Sequence, residues 1–262
     1  MDQNVVLISG TSRGLGKVLA EELVKRNYHV YSGVREIDHA PKGTTPLLLD
    51  VTKEEQIEEG VKRVIAESGK IDFLIHNAAI AYYGAAESMT LDQVKDLFTV
   101  NLFGAFRLTQ QALPFMRSRR SGKILFVSSI RAIESCAYMG MYSASKAALE
   151  AYAFDLAATL VKWNISVSVI QPGPMDTGIE LKEGSHFKDP KNNPYLPYGH
   201  VELIVQSTRE VGTKIAELLT APSAPFRVQT NSFSKECVAK HLKDPTGMKW
   251  LEEQQAWIKE GF

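Results

Sequence analysis

Cysteine is scarce in this chain of 262 residues. The two cysteines, Cys136 and Cys237, lie far apart and form neither a metal-ligand spacing nor a disulfide framework. A reducing compartment therefore fits. We also expect no signal peptide, because Asp2 leads straight into a short apolar strand. We expect a cytoplasmic protein without a bound metal.

An excess of one charge is equally absent, since 30 Lys and Arg residues balance 30 Asp and Glu residues. The balance leaves no electrostatic footprint for nucleic acid or an anionic membrane surface. No apolar run approaches the roughly 18 residues of a membrane span. One basic cluster, Arg117–Arg120, lies where a helix should end, and we interpret it as cations facing the negative end of a helix dipole. The expected partner is a small-molecule substrate.

Internal repeats, low-complexity stretches and linkers are missing too. What the chain has is a steady alternation of short apolar runs and helical patterns, with 44% hydrophobic residues. This alternation predicts a single α/β domain over residues 1–262, with a doubly wound, mostly parallel sheet of about seven strands and helices on both faces. We expect a substrate loop at about 175–205 and a C-terminal extension at about 232–262.

A glycine-rich turn stands between the first strand, Val5–Ile8, and the first helix. In this arrangement, backbone N–H groups at a helix N-terminus can cradle a pyrophosphate. The glycines fall at positions 10, 14 and 16, a spacing that differs from the more familiar G-x-G-x-x-G. The turn supplies these candidate cofactor contacts: Gly10, Thr11, Ser12, Arg13, Gly14, Leu15 and Gly16.

The end of the second strand, His29–Val34, carries no acidic residue. Dinucleotide folds often place an acid there to hold the ribose hydroxyls of NAD. Arg35 stands there instead, and a guanidinium suits the 2′-phosphate of NADP because it binds phosphate through two hydrogen bonds. Arg13 could add a second positive charge. We therefore favour NADP, in its reduced form NADPH, over NAD.

Two further strands end in polar residues, which a parallel sheet brings to the edge where ligands bind. The third strand is Leu47–Val51, and Thr52 then forms a capping box with Glu55. The fourth strand is Ile71–Ile75, followed by His76, which we interpret as structural. These ends add two cofactor candidates, Asp50, placed for the adenine amino group, and Asn77.

A tyrosine and a lysine lie four residues apart at the start of the helix that follows the fifth strand, Ile124–Ser128. Tyr142 and Lys146 therefore share one helix face. A phenol ionises at about pH 10, and a nearby ammonium favours the phenolate and lowers that pKa. Such a pair can exchange a proton with a substrate hydroxyl or carbonyl. Because residues 142–163 are apolar on more than one face, we expect this helix to pack on the sheet and against a partner subunit.

An apolar pocket wall is expected between this pair and the loop that follows the sixth strand, Ile165–Ile170. Such a wall suits a hydrophobic alcohol or ketone. The cysteine in it is interpreted as a small hydrophobe rather than a reactive thiol. The substrate-pocket candidates are Cys136, Tyr138, Met139, Met175 and Phe187.

Taken together, these motifs resemble the short-chain dehydrogenase/reductase family over nearly the whole chain. One departure is Ala79, where the family usually has glycine after Asn-Asn-Ala. Two stretches, Tyr142–Ala151 and Lys243–Gly247, resemble the branch with 17β-hydroxysteroid dehydrogenase type 1 and the photoreceptor retinol dehydrogenases. Besides the glycine turn, the matching residues are Asp50, Val51, Asn77, Ala78, Asn101, Ser129 (thirteen positions before the tyrosine), Tyr142, Lys146, Pro172 and Gly173.

The resemblance implies a division of labour among four catalytic residues. Tyr142 would be the general acid and base, and Ser129 would donate a hydrogen bond to the substrate oxygen. Lys146 would lower the phenol pKa and hold the nicotinamide ribose. Asn101 would fix a water that links the lysine to solvent. Pro172 and Gly173 would contact the cofactor, and helices at 91–116 and 142–163 would form a homodimer or homotetramer.

Two other classes of function stay open on the sequence. An epimerase or a 3-ketoacyl-type reductase could use the same scaffold, and an acidic acyl carrier would need a basic docking patch such as Arg117–Arg120. A non-catalytic dinucleotide-sensing protein would be marked by loss of Tyr142 or Lys146. Both are present.

Overall fold

The computed structural model describes residues 3–176, 181–183, 194–195, 205–221 and 223–260. Within them, seven strands form one parallel sheet in the order β3-β2-β1-β4-β6-β7-β9, while β5 and β8 form a separate parallel pair. The doubly wound prediction is thus confirmed. In chain order the strands are β1 (Val5–Ser9), β2 (His29–Val34), β3 (Thr45–Leu48), β4 (Phe73–His76), β5 (Ala81–Tyr83), β6 (Gly122–Val127), β7 (Ile165–Gln171), β8 (Leu181–Glu183) and β9 (Arg227–Gln229).

Helices cover both faces of this sheet. They are α1 (Gly14–Lys25), α2 (Glu54–Ser68), α3 (Leu91–Phe98), α4 (Gly104–Arg119), α5 (Gly140–Thr159), α6 (Thr208–Thr220), α7 (Ser232–Ala239) and α8 (Met248–Glu260). The apolar side chains of β1 alternate between two cores: Val5 and Leu7 join α2, α4 and α5, while Val6 and Ile8 join α1 and α6. A strand buried on both faces needs a continuous apolar run, which is why β1 reads as one.

The strand order places the ligand-binding edge. It reverses between β1 and β4, and in open α/β sheets ligands bind outside the carboxyl ends of the strands at such a switch point. All seven strands of the sheet run parallel, so their carboxyl ends share that edge. Residues that follow β1, β4, β6 and β7 therefore converge there.

The predicted capping box after the third strand is wrong. The strand ends at Leu48, α2 begins at Glu54, and the residue before it, Lys53, makes no side-chain cap. The hydroxyl and backbone N–H of Thr52 instead donate to Asp50 Oδ1 at 2.8 and 2.9 Å. An aspartate that bonds the backbone two residues on forms a local turn, which competes with the helix cap.

The predicted helix over 91–116 is interrupted by a π-helical stretch, Thr99–Phe103. Immediately afterwards, Gly104 lies so close to Val51 that an added Cβ would stand 2.7 Å from the valine Cβ. The lack of a side chain at this glycine therefore lets α4 approach the chain beyond β3.

The C-terminal extension is helical and packs on α5. Leu251 of α8 is buried in the core that α5 helps to form, and Gln255 Nε2 donates to the Ala157 carbonyl at 2.8 Å. The expected packing of α5 on the sheet is confirmed, and α8 covers part of its other side. Among the described helices, none is both long enough and apolar enough to span a bilayer.

Candidate active site

A cavity of about 560 Å³ opens at the carboxyl ends of the central strands. It unites most of the residues that the sequence singled out, and both the glycine turn and the candidate pair Tyr142 and Lys146 border it. The predicted residues that border it are Gly10, Ser12, Arg13, Gly14, Leu15, Arg35, Asp50, Val51, Asn77, Ala78, Ser129, Met139, Tyr142, Lys146, Pro172, Gly173 and Met175.

The glycine turn is held by contacts that admit no side chain. Gly10 has a φ of 72°, and a Cβ there would lie 2.7 Å from Ala78 Cα. A Cβ on Gly16 would lie 2.2 Å from the Gly10 carbonyl oxygen. Asn77 Nδ2 donates to the carbonyls of Ser9 and Gly10 at 3.2 and 2.7 Å. The turn and the end of β4 therefore form one rigid unit.

Two predicted cofactor contacts lie behind this turn rather than on the cavity wall. Thr11 is fully buried, and its hydroxyl donates to the Gly33 carbonyl at 3.3 Å. Gly16 packs under Gly10, as its close approach shows. Both residues therefore support the glycine turn from behind.

Two exposed arginines border the cofactor end of the cavity. Arg35 directly follows β2, and Arg13 immediately precedes α1. Among the described residues, neither forms an ion pair with a carboxylate, and Glu36 beside Arg35 contacts His39 Nδ1 at 3.6 Å. Both guanidinium groups are free to meet an anion.

The candidate catalytic pair, Tyr142 and Lys146, borders the cavity from the first turns of α5. Lys146 is 2% exposed, and its Nζ donates to the Val127 carbonyl at 2.9 Å. Its Nζ stands 5.9 Å from the centroid of the Tyr142 ring. Ser129 shares a side-chain hydrogen bond with Tyr142. Ser129, Tyr142 and Lys146 therefore form a compact group of side chains, as their spacing in the sequence predicts.

The phenol pKa does not follow the sequence expectation. Burial raises the pKa of Tyr142, while the Ser129 hydrogen bond and the positive charge of Arg131 oppose that rise. The Lys146 ammonium group donates to the Val127 carbonyl at 2.9 Å. Burial lowers the pKa of Lys146 itself to about 8, against the raising effect of the Glu150 charge.

Asn101 lies in the π-helical stretch and fastens the start of β5 to α5. Its Oδ1 accepts from the Ile80 N–H at 2.9 Å, and its Nδ2 donates to the Ile80 carbonyl and to Ser145 Oγ, both at 3.0 Å. It is 2% exposed and does not border the cavity among the described residues. Its predicted role in holding a water therefore stays a prediction.

The substrate end differs most from the sequence expectation. Met139 and Met175 border the cavity, whereas Cys136 and Tyr138 do not border it as the described residues form it. Tyr138 has a left-handed backbone with φ 67°, which turns its ring against Tyr83 at 5.7 Å between centroids. Phe187 lies outside the described residues.

Several lining residues on this side escaped sequence reasoning. Arg131 and Asp96 add the only charges there among the described residues, and Asp96 accepts a hydrogen bond from Tyr82 at 3.0 Å. The position of Arg131, two residues after Ser129, was the available signal. Apolar residues complete the wall: Ile80, Ala81, Val100, Ile130, Pro174 and Val205.

The interpretation of His76 as structural is supported by its surroundings. The ring stacks on Phe126 at 4.5 Å, and its Nε2 shares a hydrogen bond with the Thr109 hydroxyl at 2.9 Å. Burial lowers the pKa of His76 to about 3, so the ring is neutral at physiological pH. A neutral, packed histidine away from the cavity has no acid–base work to do.

The basic cluster lies at the opposite edge of the sheet from the cavity. Arg119 pairs with Asp72, just before β4, at 3.2 Å. Arg120 donates to the Lys162 carbonyl, and Arg117 lies over the Trp163 ring at 5.7 Å. These three side chains therefore make their contacts near the amino ends of the strands.

A glycine turn at the switch point of a parallel sheet that helices cover on both faces defines an α/β protein of the Rossmann type. The family described as short chain dehydrogenase matches residues 4–186, and the chain belongs to it.

Individual relatives agree with that assignment. The chain is 30% identical to a 3-ketodihydrosphingosine reductase of Bacteroides thetaiotaomicron over 248 residues, which cover 92% of each chain. It is 31% identical to retinol dehydrogenase 8 of Bos taurus over 273 residues, covering 92% of this chain and 86% of that one. A short-chain dehydrogenase structure from Streptomyces avermitilis, 26% identical, matches with a TM-score of 0.79 over 100% of this chain and 99% of that one. The protein is an oxidoreductase of this family, and the similarity to retinol dehydrogenases is confirmed.

Proposed function

We propose that this enzyme uses NADP(H) to interconvert a carbonyl and an alcohol on a hydrophobic substrate. The observation that carries the proposal is the single cavity that joins the glycine turn and Arg35 to Ser129, Tyr142 and Lys146. The turn fits a dinucleotide, since Gly10, Ser12 and Gly14 border the cavity at the N-terminus of α1, where backbone N–H groups can bind a pyrophosphate. When bound there, the nicotinamide supplies or accepts the hydride.

The protein's own residues manage the proton and the developing charge. In reduction, Tyr142 gives its proton to the substrate oxygen, and in oxidation it takes one back. Ser129 donates a hydrogen bond to the same oxygen, which grows stronger as negative charge develops there. The Lys146 ammonium, held between the Val127 carbonyl and the Tyr142 ring, supplies positive charge beside the site. Asn101 fixes the backbone at Ile80 on the cavity wall.

The preference for NADP rests on the cofactor end. An acid at the end of β2 would repel a 2′-phosphate, and Arg35 stands there instead without an ion-pair partner among the described residues. A guanidinium can bind a phosphate through two parallel hydrogen bonds. The uncharged ribose hydroxyls of NAD would leave the positive charge of Arg35 without a counter-charge. Arg13 adds charge on the facing wall. Asp50 remains our candidate for the adenine amino group.

The hydrophobic substrate is supported by the apolar wall at the other end. Met139, Met175 and Val100 border the cavity near the catalytic pair. Two similar proteins are named for a retinol and for a ketodihydrosphingosine, both largely apolar molecules. Delivery by an acidic acyl carrier is disfavoured, because the Arg117–Arg120 cluster lies at the amino edge and is already engaged.

The substrate loop at about 175–205 is proposed to cover this end. Its described parts contact neighbouring elements. Strand β8 pairs with β5, and Met175 bridges Gln206. Tyr195 donates to Glu87 at 2.5 Å. A loop over this end would exclude water during hydride transfer.

Oligomerisation is proposed through α4 and α5. Three phenylalanines on and beside α4 are exposed, with relative exposures of 47% for Phe103, 43% for Phe106 and 36% for Phe115. Phe106 also meets Tyr152 of α5 at 5.6 Å between ring centroids. A surface that exposes aromatic rings is typical of a protein interface. A second copy would cover it in a homodimer or homotetramer.

The proposed function is tested by cofactor binding followed by a substrate panel. NADPH and NADH are titrated against the protein by nicotinamide fluorescence, and the preferred cofactor is then offered with steroid, retinoid, sphingoid-base ketone, acyl-thioester and sugar carbonyls. We expect tighter NADPH binding and turnover of large apolar carbonyls. Tighter NADH binding, or activity confined to short polar sugars, would contradict the proposal.

A further inference from the structure

A buried carboxylate lies one helical turn beyond Lys146 on α5. Glu150 is 3% exposed, and its Oε1 accepts hydrogen bonds from Ser128 Oγ at 2.7 Å and Gln171 Nε2 at 2.9 Å. Its Oε2 accepts from Arg227 Nε and from the same Gln171 amide, both at 3.1 Å. A buried charge is costly unless it is paired and hydrogen-bonded, and this one is fully satisfied.

Two of the three partners of Glu150 directly precede residues of the candidate active site, and the third begins the last strand of the sheet. Ser128 directly precedes Ser129, which hydrogen-bonds Tyr142. Gln171 ends β7 and directly precedes Pro172 on the cavity wall. Arg227 begins the edge strand β9. One carboxylate therefore fixes the points at which β6 and β7 enter the site.

The C-terminal extension contacts this hydrogen-bond network through Gln229 and Arg227. Gln229 Nε2 donates to Gln171 Oε1 at 2.7 Å and to the Pro245 carbonyl at 3.2 Å. The backbone N–H of Arg227 donates to the Thr246 carbonyl at 2.9 Å. A Cβ on Gly247 would stand 2.5 Å from Arg227 Nη1, so the guanidinium packs directly on that glycine. The segment thus helps to aim Arg227 at Glu150.

We propose that Glu150, clamped by Arg227, is a positioning residue that keeps Lys146 charged and holds Ser129 in place beside Tyr142. The inference rests on the proposed function of the same site. Lys146 faces Glu150 and Tyr142 from its own helix and an uncharged carbonyl from β6. The cation that faces Glu150 from β9 is Arg227, and its partners from β6 and β7 are uncharged.

The two members of the clamp should act on Lys146 with opposite sign. The negative charge of Glu150 raises the pKa of Lys146 against the lowering effect of burial. Loss of that charge lets the ammonium lose its proton at lower pH. Loss of Arg227 leaves the field of Glu150 uncompensated, so the ammonium persists to higher pH. Damage to the fold alone would not produce opposite shifts.

The experiment compares Glu150→Gln and Arg227→Gln in the full chain. The NADPH-dependent reduction rate is followed from about pH 6 to 10, and both variants should lose roughly tenfold in kcat near neutrality. In this profile of rate against pH, the midpoint of the alkaline limb should move down by about one pH unit in Glu150→Gln and up in Arg227→Gln. Glu150→Asp retains the charge and should keep the limb near its native position. Glu58→Gln, an exposed glutamate of α2, is the matched control and should change nothing.

A direct titration of the Lys146 side chain by NMR should show the same two signs without any substrate. Shifts in the same direction, or no shift in either variant, would overturn the proposal. If Glu150→Gln fails to fold, an unshifted Arg227→Gln overturns it alone. If the native protein turns over no carbonyl, the proposed function has failed, whereas the NMR titration still decides the place of Glu150.

Discussion

The two ends of the cavity are held in shape by different parts of the chain. At the cofactor end the backbone does the shaping, since Gly10 and Gly16 allow close approaches that Asn77 then locks with two hydrogen bonds. At the substrate end the wall consists of side chains from helices and connections, such as Val100 and Met139. A backbone cradle fits one shape of ligand, whereas a wall of adaptable side chains can accept many. We therefore expect substitutions at the glycine turn to disturb cofactor binding more than substitutions in the side-chain wall disturb substrate binding.

The largest effect on kcat is expected from Tyr142, which lies between the cofactor end and the substrate end of the cavity. Tyr142→Phe removes the proton donor but leaves the ring, so kcat should fall by about 10²–10⁴-fold. Binding of NADPH and thermal stability should stay near native, because burial of the ring is unchanged. Single-turnover kinetics with saturating cofactor measures the loss. Near-native turnover in this variant would remove the tyrosine from the mechanism.

The rigidity of the cofactor end is tested by Gly16→Ala. The added Cβ would stand 2.2 Å from the Gly10 carbonyl oxygen and 2.4 Å from Asn77 Nδ2, so the turn must shift. Overpacking of this kind costs about 1–3 kcal/mol, and NADPH affinity should fall about tenfold or more. Calorimetric melting and cofactor titration measure both effects.

Gly140→Ala is the control for that substitution, because a Cβ there meets nothing within 4 Å. It should leave melting and NADPH binding unchanged. Equal behaviour of the two alanine variants would show that the cradle is not rigid.

Charge selection at the cofactor end is tested by Arg35→Ser. Charge-assisted hydrogen bonds contribute about 1.5–3 kcal/mol each, so NADPH should bind roughly tenfold to a hundredfold more weakly while NADH is little affected. Arg209→Ser, on the exposed start of α6, is the control and should alter neither affinity. A variant that still prefers NADPH by the native ratio would move the 2′-phosphate away from Arg35.

The smallest effects are expected at the substrate end. Met139→Ala should raise KM for a large apolar carbonyl several-fold, since each lost buried methylene contributes about 0.8 kcal/mol. NADPH affinity should not change. Cys136→Ser should leave KM at its native value, because Cys136 does not border the cavity among the described residues. A KM that responds to the cysteine and not to the methionine would reverse this assignment of the wall.

The same contrast decides what could be read from the sequence. The glycine turn, the tyrosine–lysine spacing and the strand ends follow from local rules, and the structure brings them together as expected. The substrate wall depends on how connections fold back, and the positive φ of Tyr138 turned its ring toward Tyr83 in a way no periodicity signals. The capping box failed because the Asp50 turn took the Thr52 hydroxyl.

Charge effects were the hardest to anticipate. The sequence spacing suggested that Lys146 lowers the phenol pKa, but the buried ammonium points to the Val127 carbonyl, and burial dominates the shift of the Tyr142 pKa. Likewise, Glu150 is one glutamate among many in the sequence. Its burial and its link to Arg227 become visible only when β9 is placed at the edge of the sheet.

The most direct test of the account is a structure of the protein with NADP bound. The account predicts that the nicotinamide ring lies beside the Tyr142 hydroxyl, with the pyrophosphate on the glycine turn and the 2′-phosphate against Arg35. A nicotinamide held away from Tyr142, or a cofactor bound in the reverse orientation, would contradict it.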